Sequence, residues 1–222
     1  MKYKAIIFDL DGTLTDTLED LYLSVNYALR SCGLPERSLD EVRRFVGNGV
    51  ELLLRRALPA GTPDERVYET LAFFRADYEK RSRNRTCPYG GILDLLAELR
   101  AEGVRIGVVS NKYDKAVREL CDYYFPGLID LPVGERAGVP KKPAPDSLFL
   151  AMEELDATAS ETLYVGDSEV DVETAHNAGL PCISVLWGLR DREDIEAAGA
   201  SVFAATVEEL SVILNDFLGT KA

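Results

Sequence analysis

Four short runs constrain this chain more than anything else in it. Ala5-Ile6-Ile7-Phe8, Arg105-Ile106-Gly107-Val108-Val109, Thr162-Leu163-Tyr164-Val165 and Cys182-Ile183-Ser184-Val185-Leu186 are β-branched or aromatic almost throughout, without clean polar alternation. Runs of that kind suit parallel strands covered on both faces. A weaker run, Ser201-Val202-Phe203-Ala204, follows them. Residues 92–101, 114–121, 146–155, 170–178 and 207–218 carry helical apolar stripes, and Thr206 with Glu209 has capping-box spacing. Strand then helix, repeated, predicts an α/β fold with a doubly wound, parallel Rossmann-like sheet.

One interval breaks that rhythm. About 95 residues separate Asp9 from the run beginning at Arg105, where a simple crossover needs about a dozen. Within it, residues 17–31, 38–46, 48–58 and 64–81 read as helices, separated by Gly33-Leu34-Pro35, Gly47-Asn48-Gly49 and Pro59-Ala60-Gly61-Thr62-Pro63. Ser38 with Glu41, and Thr62-Pro63 with Glu65, are helix-start signals. The expectation is an all-helical cap domain over residues 15–87, inserted into a core made of residues 1–14 and 88–222.

Charge and cysteine usage narrow the partners. The 222 residues carry 25 Lys and Arg against 38 Asp and Glu, a net charge of −13. Nucleic-acid affinity rests mainly on basic side chains, so no nucleic acid is expected as a partner. No apolar run approaches the ~18–20 residues of a membrane span, and the apolar stretch before Asp9 is too short for a signal peptide. No membrane association, a cytoplasmic location and a monomer or homodimer are the expectations. Cys32, Cys87, Cys121 and Cys182 lie far apart with a single histidine, His176. That argues against a zinc cluster or a disulfide scaffold, and the cysteines read as small core residues. His176 reads as a packing or surface residue.

Open α/β sheets bind ligands beyond the carboxyl ends of their strands, so the residues standing there matter most. The first run ends in Asp9-Leu10-Asp11-Gly12-Thr13, the second in Ser110-Asn111-Lys112 and the third in Gly166-Asp167-Ser168-Glu169-Val170-Asp171; Lys141-Lys142-Pro143 precedes the third. Singly, each has an ordinary reading: an Asp-Gly turn, a helix cap, a solvated lysine, the acidic half of a capping box. Together they bring up to four carboxylates and a lysine to one rim. Like charges so close oppose joint ionisation, and oxygen-only ligands without His or Cys suit Mg²⁺. A site completed by a lysine, a hydroxyl and exposed backbone N–H groups suits a phosphoryl group.

These four segments, in this order, resemble the signature of the haloacid dehalogenase superfamily, and the resemblance spans the whole chain. The helical insertion after the first motif is typical of members with a small helical cap of the first type, and Asp11 points to the phosphate-handling branch. The resemblance implies that Asp9 is the nucleophile, forming an aspartyl-phosphate, and that Asp11 is general acid and then base. It implies Mg²⁺ held by Asp9, the Asp11 backbone carbonyl and Asp167, with Asp171 as ligand or support. Ser110, the Asn111 backbone N–H and Lys142 would hold the phosphoryl oxygens, and Thr13 would orient the Asp11 region.

A finer resemblance, carried by Asp16, Val46-Gly47-Asn48-Gly49, Ser110-Asn111-Lys112 and Asn177-Ala178-Gly179, is to phosphoglycolate phosphatases. Ser110 departs from the threonine commoner there but keeps the hydroxyl. The implied substrate is a small-molecule phosphate ester, 2-phosphoglycolate first. Gly47, Asn48 and Gly49 precede a helix whose N-terminal N–H groups favour anions, and Arg43, Arg44 and Lys112 offer charge for a small carboxylate. A pyrophosphatase or sugar-phosphate phosphatase shares several of these motifs. A β-phosphoglucomutase-like enzyme would more often have Asp-Gly-Val at the first motif. A phospho-accepting receiver module lacks both the second acid and the cap, and a catalytically dead binding module is at odds with the complete set of groups.

Overall fold

The computed structural model describes residues 3–219. Strand β1, Ala5–Phe8, is buried at every position. It leads into a tight loop and a two-residue strand β2, Thr15–Asp16, which pairs antiparallel with β3, Cys87–Pro88. The four helices between those strands are α1 (Leu18–Ser31), α2 (Leu39–Phe45), α3 (Val50–Ala57) and α4 (Asp64–Arg81). They close on their own apolar cluster, in which Val25, Leu29, Val42, Leu54, Val67 and Phe74 meet.

After β3 the chain runs α5 (Ile92–Ala101), β4 (Arg105–Tyr113), α6 (Asp114–Tyr124), β5 (Leu131–Glu135), α7 (Asp146–Glu154), β6 (Thr162–Gly166), α8 (Glu169–Ala178), β7 (Cys182–Val185), α9 (Arg192–Ala197), β8 (Phe203–Ala204) and α10 (Val207–Leu218). The large sheet has order β5-β4-β1-β6-β7-β8 and every pair is parallel. Ile6 stands beside Ile106 on one side and Leu163 on the other. Alternation along β1 then supplies two cores. Ile6 and Phe8 face α5, α6 and α10, through Leu96, Val117, Leu210 and Leu214. Ala5 and Ile7 face α7 and α8, through Leu148, Ala151 and Ala175. Burial on both faces is why these runs lack polar alternation. The expected α/β architecture is present. The chain adds strands to one side of β1 before returning to place β6 on the other, which opens a crevice at the carboxyl ends of β1 and β6.

Several local expectations are corrected. β5 was not expected as a strand: Leu131-Pro132-Val133-Gly134-Glu135 holds a proline and a glycine, tolerated because β5 is an edge strand. The β2–β3 pair is too short to leave a pattern, and α9 is a six-residue helix. α6 runs on to Tyr124, beyond the expected Cys121. α3 starts at Val50 rather than Asn48, because Gly49 takes φ +85°. Ser38 and Glu41 form their full capping box. Thr62, however, turns back to the Pro59 carbonyl instead of capping α4. Glu209 reaches the Ala205 N–H, one residue before the Thr206 cap. Cys121 is buried as expected, but Cys87 is exposed on the edge of the two-strand pair. His176 is exposed.

Candidate active site

Asp9 follows β1 directly, and its N–H continues the ladder to the Val165 carbonyl at 2.9 Å. Beyond it the chain turns sharply through Gly12, at φ +91°. A side chain there would not fit, since a Cβ on Gly12 would stand 2.3 Å from Asp167 Oδ2. Gly188, past the end of β7, presses from the other side: its Cβ would lie 2.3 Å from the Asp167 Cβ. Asp167, next after β6, is thus packed between two bare backbones. Its Oδ2 accepts from the Leu189 N–H at 2.7 Å and its Oδ1 from the Thr13 hydroxyl at 3.1 Å. Thr13, expected to orient the Asp11 region, is fully buried and gives its hydroxyl hydrogen bond to Asp167.

Lys142 joins the acids. Its Nζ lies 2.7 Å from Asp171 Oδ1, 2.8 Å from Asp9 Oδ1 and 3.0 Å from the Tyr164 hydroxyl. Tyr164, buried on β6, also donates to Asp171 Oδ1 at 2.8 Å. The other oxygen of Asp171 accepts from the N–H groups of Asp167 and Ser168 and from the Ser168 hydroxyl. Asp171 is therefore both the acidic half of a helix cap and the partner that holds Lys142.

β4 contributes by irregularity. Its register with β5 shifts between Val109 and Tyr113, and Ser110, Asn111 and Lys112 inside that stretch are all buried. A bulge re-aims side chains that a regular pleat would send to opposite faces. Asn111 Nδ2 donates to the carbonyls of Gly47 and Lys142, both at 3.0 Å, and its Oδ1 accepts from the Lys142 N–H at 2.9 Å. Lys112 Nζ meets both oxygens of Asp11, at 2.8 and 3.0 Å.

The electrostatics follow from three buried carboxylates beside one lysine, Lys142, which reaches two of them. Burial pushes the Asp9 carboxyl up to about 7, against the pull of Lys142. Asp167 is raised well above the carboxylate range by burial, then by Asp171 and Asp9. Burial works on Asp171 too, but Lys142, Ser168 and Tyr164 outweigh it and hold that carboxyl low. Asp9 Oδ1 is ion-paired yet receives no hydrogen bond. Oxygens of Asp9, Asp167 and Asp171 lie within 4.8 Å of one another. A hard cation fits this set: it would supply the missing positive charge to three clustered carboxylates.

The helices α1–α3 roof the crevice. Asp9, Asp11, Ser110, Asn111, Lys112 and Asp167 line a cavity of about 40 Å³, closed from above by Leu21, Val46, Gly47, Gly49, Val50 and Leu53. Gly47 and Gly49 thus come to the site, whereas Asn48 and Arg43 are not among its lining residues. Arg43 points outward to an ion pair with Asp191 at 2.9 Å. Besides Lys112, a second basic residue lines the cavity, and it was not anticipated. Arg190 donates to Glu169 at 2.9 Å, to the Arg43 carbonyl at 3.0 Å and to the Val46 carbonyl. It thereby caps the C-terminus of α2 with a charge that suits it. The signal was in the sequence: Gly188-Leu189-Arg190 follows the β7 run as the other site segments follow theirs.

Comparison with known proteins agrees with this geometry. The profile of the haloacid dehalogenase-like hydrolases matches residues 6–185. A phosphoglycolate phosphatase of Pseudomonas putida is 34% identical over 217 residues, 95% of this chain and 78% of that protein. The Aquifex aeolicus protein of the same name is 34% identical over 83% of this chain and 85% of its own length. A solved structure from Lactobacillus delbrueckii subsp. bulgaricus superposes with TM-score 0.90 at 34% identity, covering 96% of this chain and 99% of that one. CbbY from Rhodobacter sphaeroides, solved in complex with phosphate, superposes with TM-score 0.75 at 27% identity, covering 94% and 96%. The acids at the ends of β1 and β6, the lysine between them and the match over most of its length make this chain a member of the haloacid dehalogenase-like hydrolases.

Proposed function

We propose that the protein is a Mg²⁺-dependent phosphatase of small phosphate monoesters, with 2-phosphoglycolate as its preferred substrate. The observation that carries this reading is Asp9. Its carboxylate lines the cavity at the end of β1, with Oδ1 2.8 Å from a buried ammonium that can also hold a phosphoryl oxygen. Asp9 attacks phosphorus, the ester P–O bond breaks, and Asp11 gives its proton to the departing alkoxide. Asp11 then takes a proton from the water that cleaves the aspartyl-phosphate and restores Asp9. Lys142, Ser110 and the Asn111 N–H meet the phosphoryl oxygens, the electrostatic support such transfers depend on. The Asp9 and Asp167 carboxylates and the Asp11 carbonyl would hold Mg²⁺, with Asp171 in support through Lys142. Bound there, the ion would neutralise phosphoryl charge and align the ester with Asp9.

Substrate choice rests on the roof, which we take as a cap domain over residues 15–87. A cavity roofed by Leu21, Val46, Val50 and Leu53 favours a small leaving group. Gly49 and Val50 at the start of α3 line it, and helix N-terminal N–H groups favour a carboxylate such as that of glycolate. The phosphoglycolate phosphatases among the relatives support the same choice. Four free cysteines fit a reducing, cytoplasmic setting, and the net charge of −13 speaks against nucleic acid.

Phosphate release with Mg²⁺ from phosphoglycolate, pyrophosphate, glucose phosphates, glycerol phosphate, nucleotides and an aryl phosphate tests this, ranked by kcat/KM. Phosphoglycolate in front is the expected result. A sugar phosphate in front would keep the core chemistry and discard the substrate. Silence across the panel from folded protein would overturn the phosphatase reading.

A further inference from the structure

Lys112 is the one lysine among the described residues that line the cavity, and its surroundings say what it is for. Its Nζ meets both oxygens of Asp11, at 2.8 and 3.0 Å. On the other side it lies 4.9 Å from the centroid of the Tyr78 ring, a residue of α4. Tyr78 is itself fixed, stacked on Phe74 at 5.3 Å with the rings 11° from parallel. All three members of the link Tyr78, Lys112 and Asp11 are largely screened from water; the Lys112 side chain is 3% exposed and that of Asp11 13%. A buried ammonium gripping both carboxylate oxygens fixes the carboxylate plane, and a desolvated cation over an aromatic face is held there by the ring's negative face.

We infer that Lys112 is a positioning residue for Asp11, not a ligand for the substrate's carboxylate, and that Tyr78 carries the docking of α4 through Lys112 to the acid. This rests on the phosphatase reading above. In the first transfer, an Asp9 oxygen bonds to phosphorus while the ester P–O bond breaks, and the alkoxide takes the proton that Asp11 gained from water in the previous turnover, carried on one oxygen while Lys112 holds the other. Lys112 sets where that carboxyl group points; it neither gives nor takes a proton. Asp11 stands beside Lys112 rather than in the network of Lys142, so the nucleophile and the acid each have a buried lysine of their own.

The discriminating quantity is leaving-group dependence. An alkoxide needs Asp11 to depart, whereas a nitrophenolate leaves without protonation. kcat/KM for phosphoglycolate, glycerol phosphate and p-nitrophenyl phosphate would be compared among wild type, Lys112→Met, Tyr78→Leu and Tyr78→Phe, with folding checked by thermal melting. This ratio reports the chemistry up to departure of the alcohol. Lys112→Met is expected to lose at least about tenfold more on both alkyl esters than on the aryl ester, a fraction of what general acid catalysis contributes. Tyr78→Leu should shift the alkyl-to-aryl ratio in the same direction, and Tyr78→Phe, which keeps the ring, should restore it. Should Lys112→Met fail to fold, the Tyr78→Leu ratio decides alone. Equal losses on all three esters would overturn the inference, as would a loss confined to phosphoglycolate, which would put Lys112 on the substrate's carboxylate. Wild-type protein that cleaves none of the three would overturn the phosphatase reading and this inference with it.

Discussion

Asn111 grips Lys142 by the backbone: Oδ1 accepts from the Lys142 N–H at 2.9 Å and Nδ2 donates to the Lys142 carbonyl at 3.0 Å. One amide side chain thus does for the loop before α7 what a neighbouring strand does for a ladder. It fixes the point from which the lysine reaches Asp9 and Asp171. The same Nδ2 also holds the Gly47 carbonyl at 3.0 Å, so roof and lysine are registered by a single residue of β4.

Asp9→Asn should lower kcat on every phosphate ester by about a thousandfold or more, as removal of a nucleophile does. Stability should move the other way. A carboxyl whose folded value is raised from 3.8 to about 7 destabilises the fold at any pH above the unfolded value, and fully so above about 7. In metal-free buffer at pH 8 the variant should melt no lower than wild type, by calorimetry. A large drop in Tm would mean that the Lys142 pair outweighs burial.

Metal addition should show itself without turnover. Mg²⁺ in about 100-fold excess over its Kd adds about 2.7 kcal/mol to a fold that alone binds it, so Tm should rise with Mg²⁺ and fall back on chelation. Asp167→Asn should blunt that rise. An unchanged Tm in wild type, or full activity after exhaustive chelation, would sink the metal site.

Arg190 links the loop after β7 to the end of α2 by hydrogen bonds to the Arg43 and Val46 carbonyls. Arg190→Ala should loosen the roof while leaving Asp9, Lys142 and Asp167 with their partners. KM for a small ester should rise about tenfold, equivalent to about 1.4 kcal/mol, with a smaller change in kcat. Discrimination against bulkier esters should weaken in the same assays. Arg190→Lys should not restore it, because an ammonium cannot repeat the forked geometry.

Gly188→Ala tests the packing of Asp167. With a Cβ 2.3 Å from the Asp167 Cβ, the two backbones must separate, a rearrangement that costs roughly 1–3 kcal/mol in a filled interior. Tm and Mg²⁺ affinity should fall together. Loss of Tm with metal affinity intact would show that the loop yields without disturbing the carboxylate.

Asp114 gives a pH signature of its own, through its ion pairs with Arg118 and Arg136. Partial burial works against its ionisation, yet Arg118, the Gly134 N–H and Arg136 hold it at about 2, below the ordinary 3.8. Its contribution is therefore present above pH ~4 and is lost as pH falls through about 2. Asp114→Asn should lower Tm at pH 7, and the gap to wild type should close between pH 4 and 2. A gap constant with pH would assign the effect to something other than charge.

The six-strand sheet was largely legible because burial on both faces writes an unbroken apolar run, as at Ala5–Phe8. β5 was not, since an edge position relaxes the rules that exclude proline and glycine. The residues at strand ends were legible by position, and Asp9, Asp11, Ser110, Lys142, Asp167 and Asp171 do converge. Side-chain partners were not. Nothing in the order of residues tells that the Thr13 hydroxyl turns to Asp167, or that Arg43 pairs outward with Asp191 while Arg190 turns in. Such choices are settled by which oxygen lies a few ångströms away once the layers have packed.

The two-residue pairing of Thr15–Asp16 with Cys87–Pro88 has a bearing on how such a protein can change. Paired strands stand about 4.8 Å apart, so the chain leaves the sheet and re-enters it at neighbouring points. Whatever is spliced between those points meets the β-sheet as a short staple would. A helical bundle of another size could enter and leave through the same pair of strands, but it would have to replace Tyr78, whose ring holds the lysine beside Asp11.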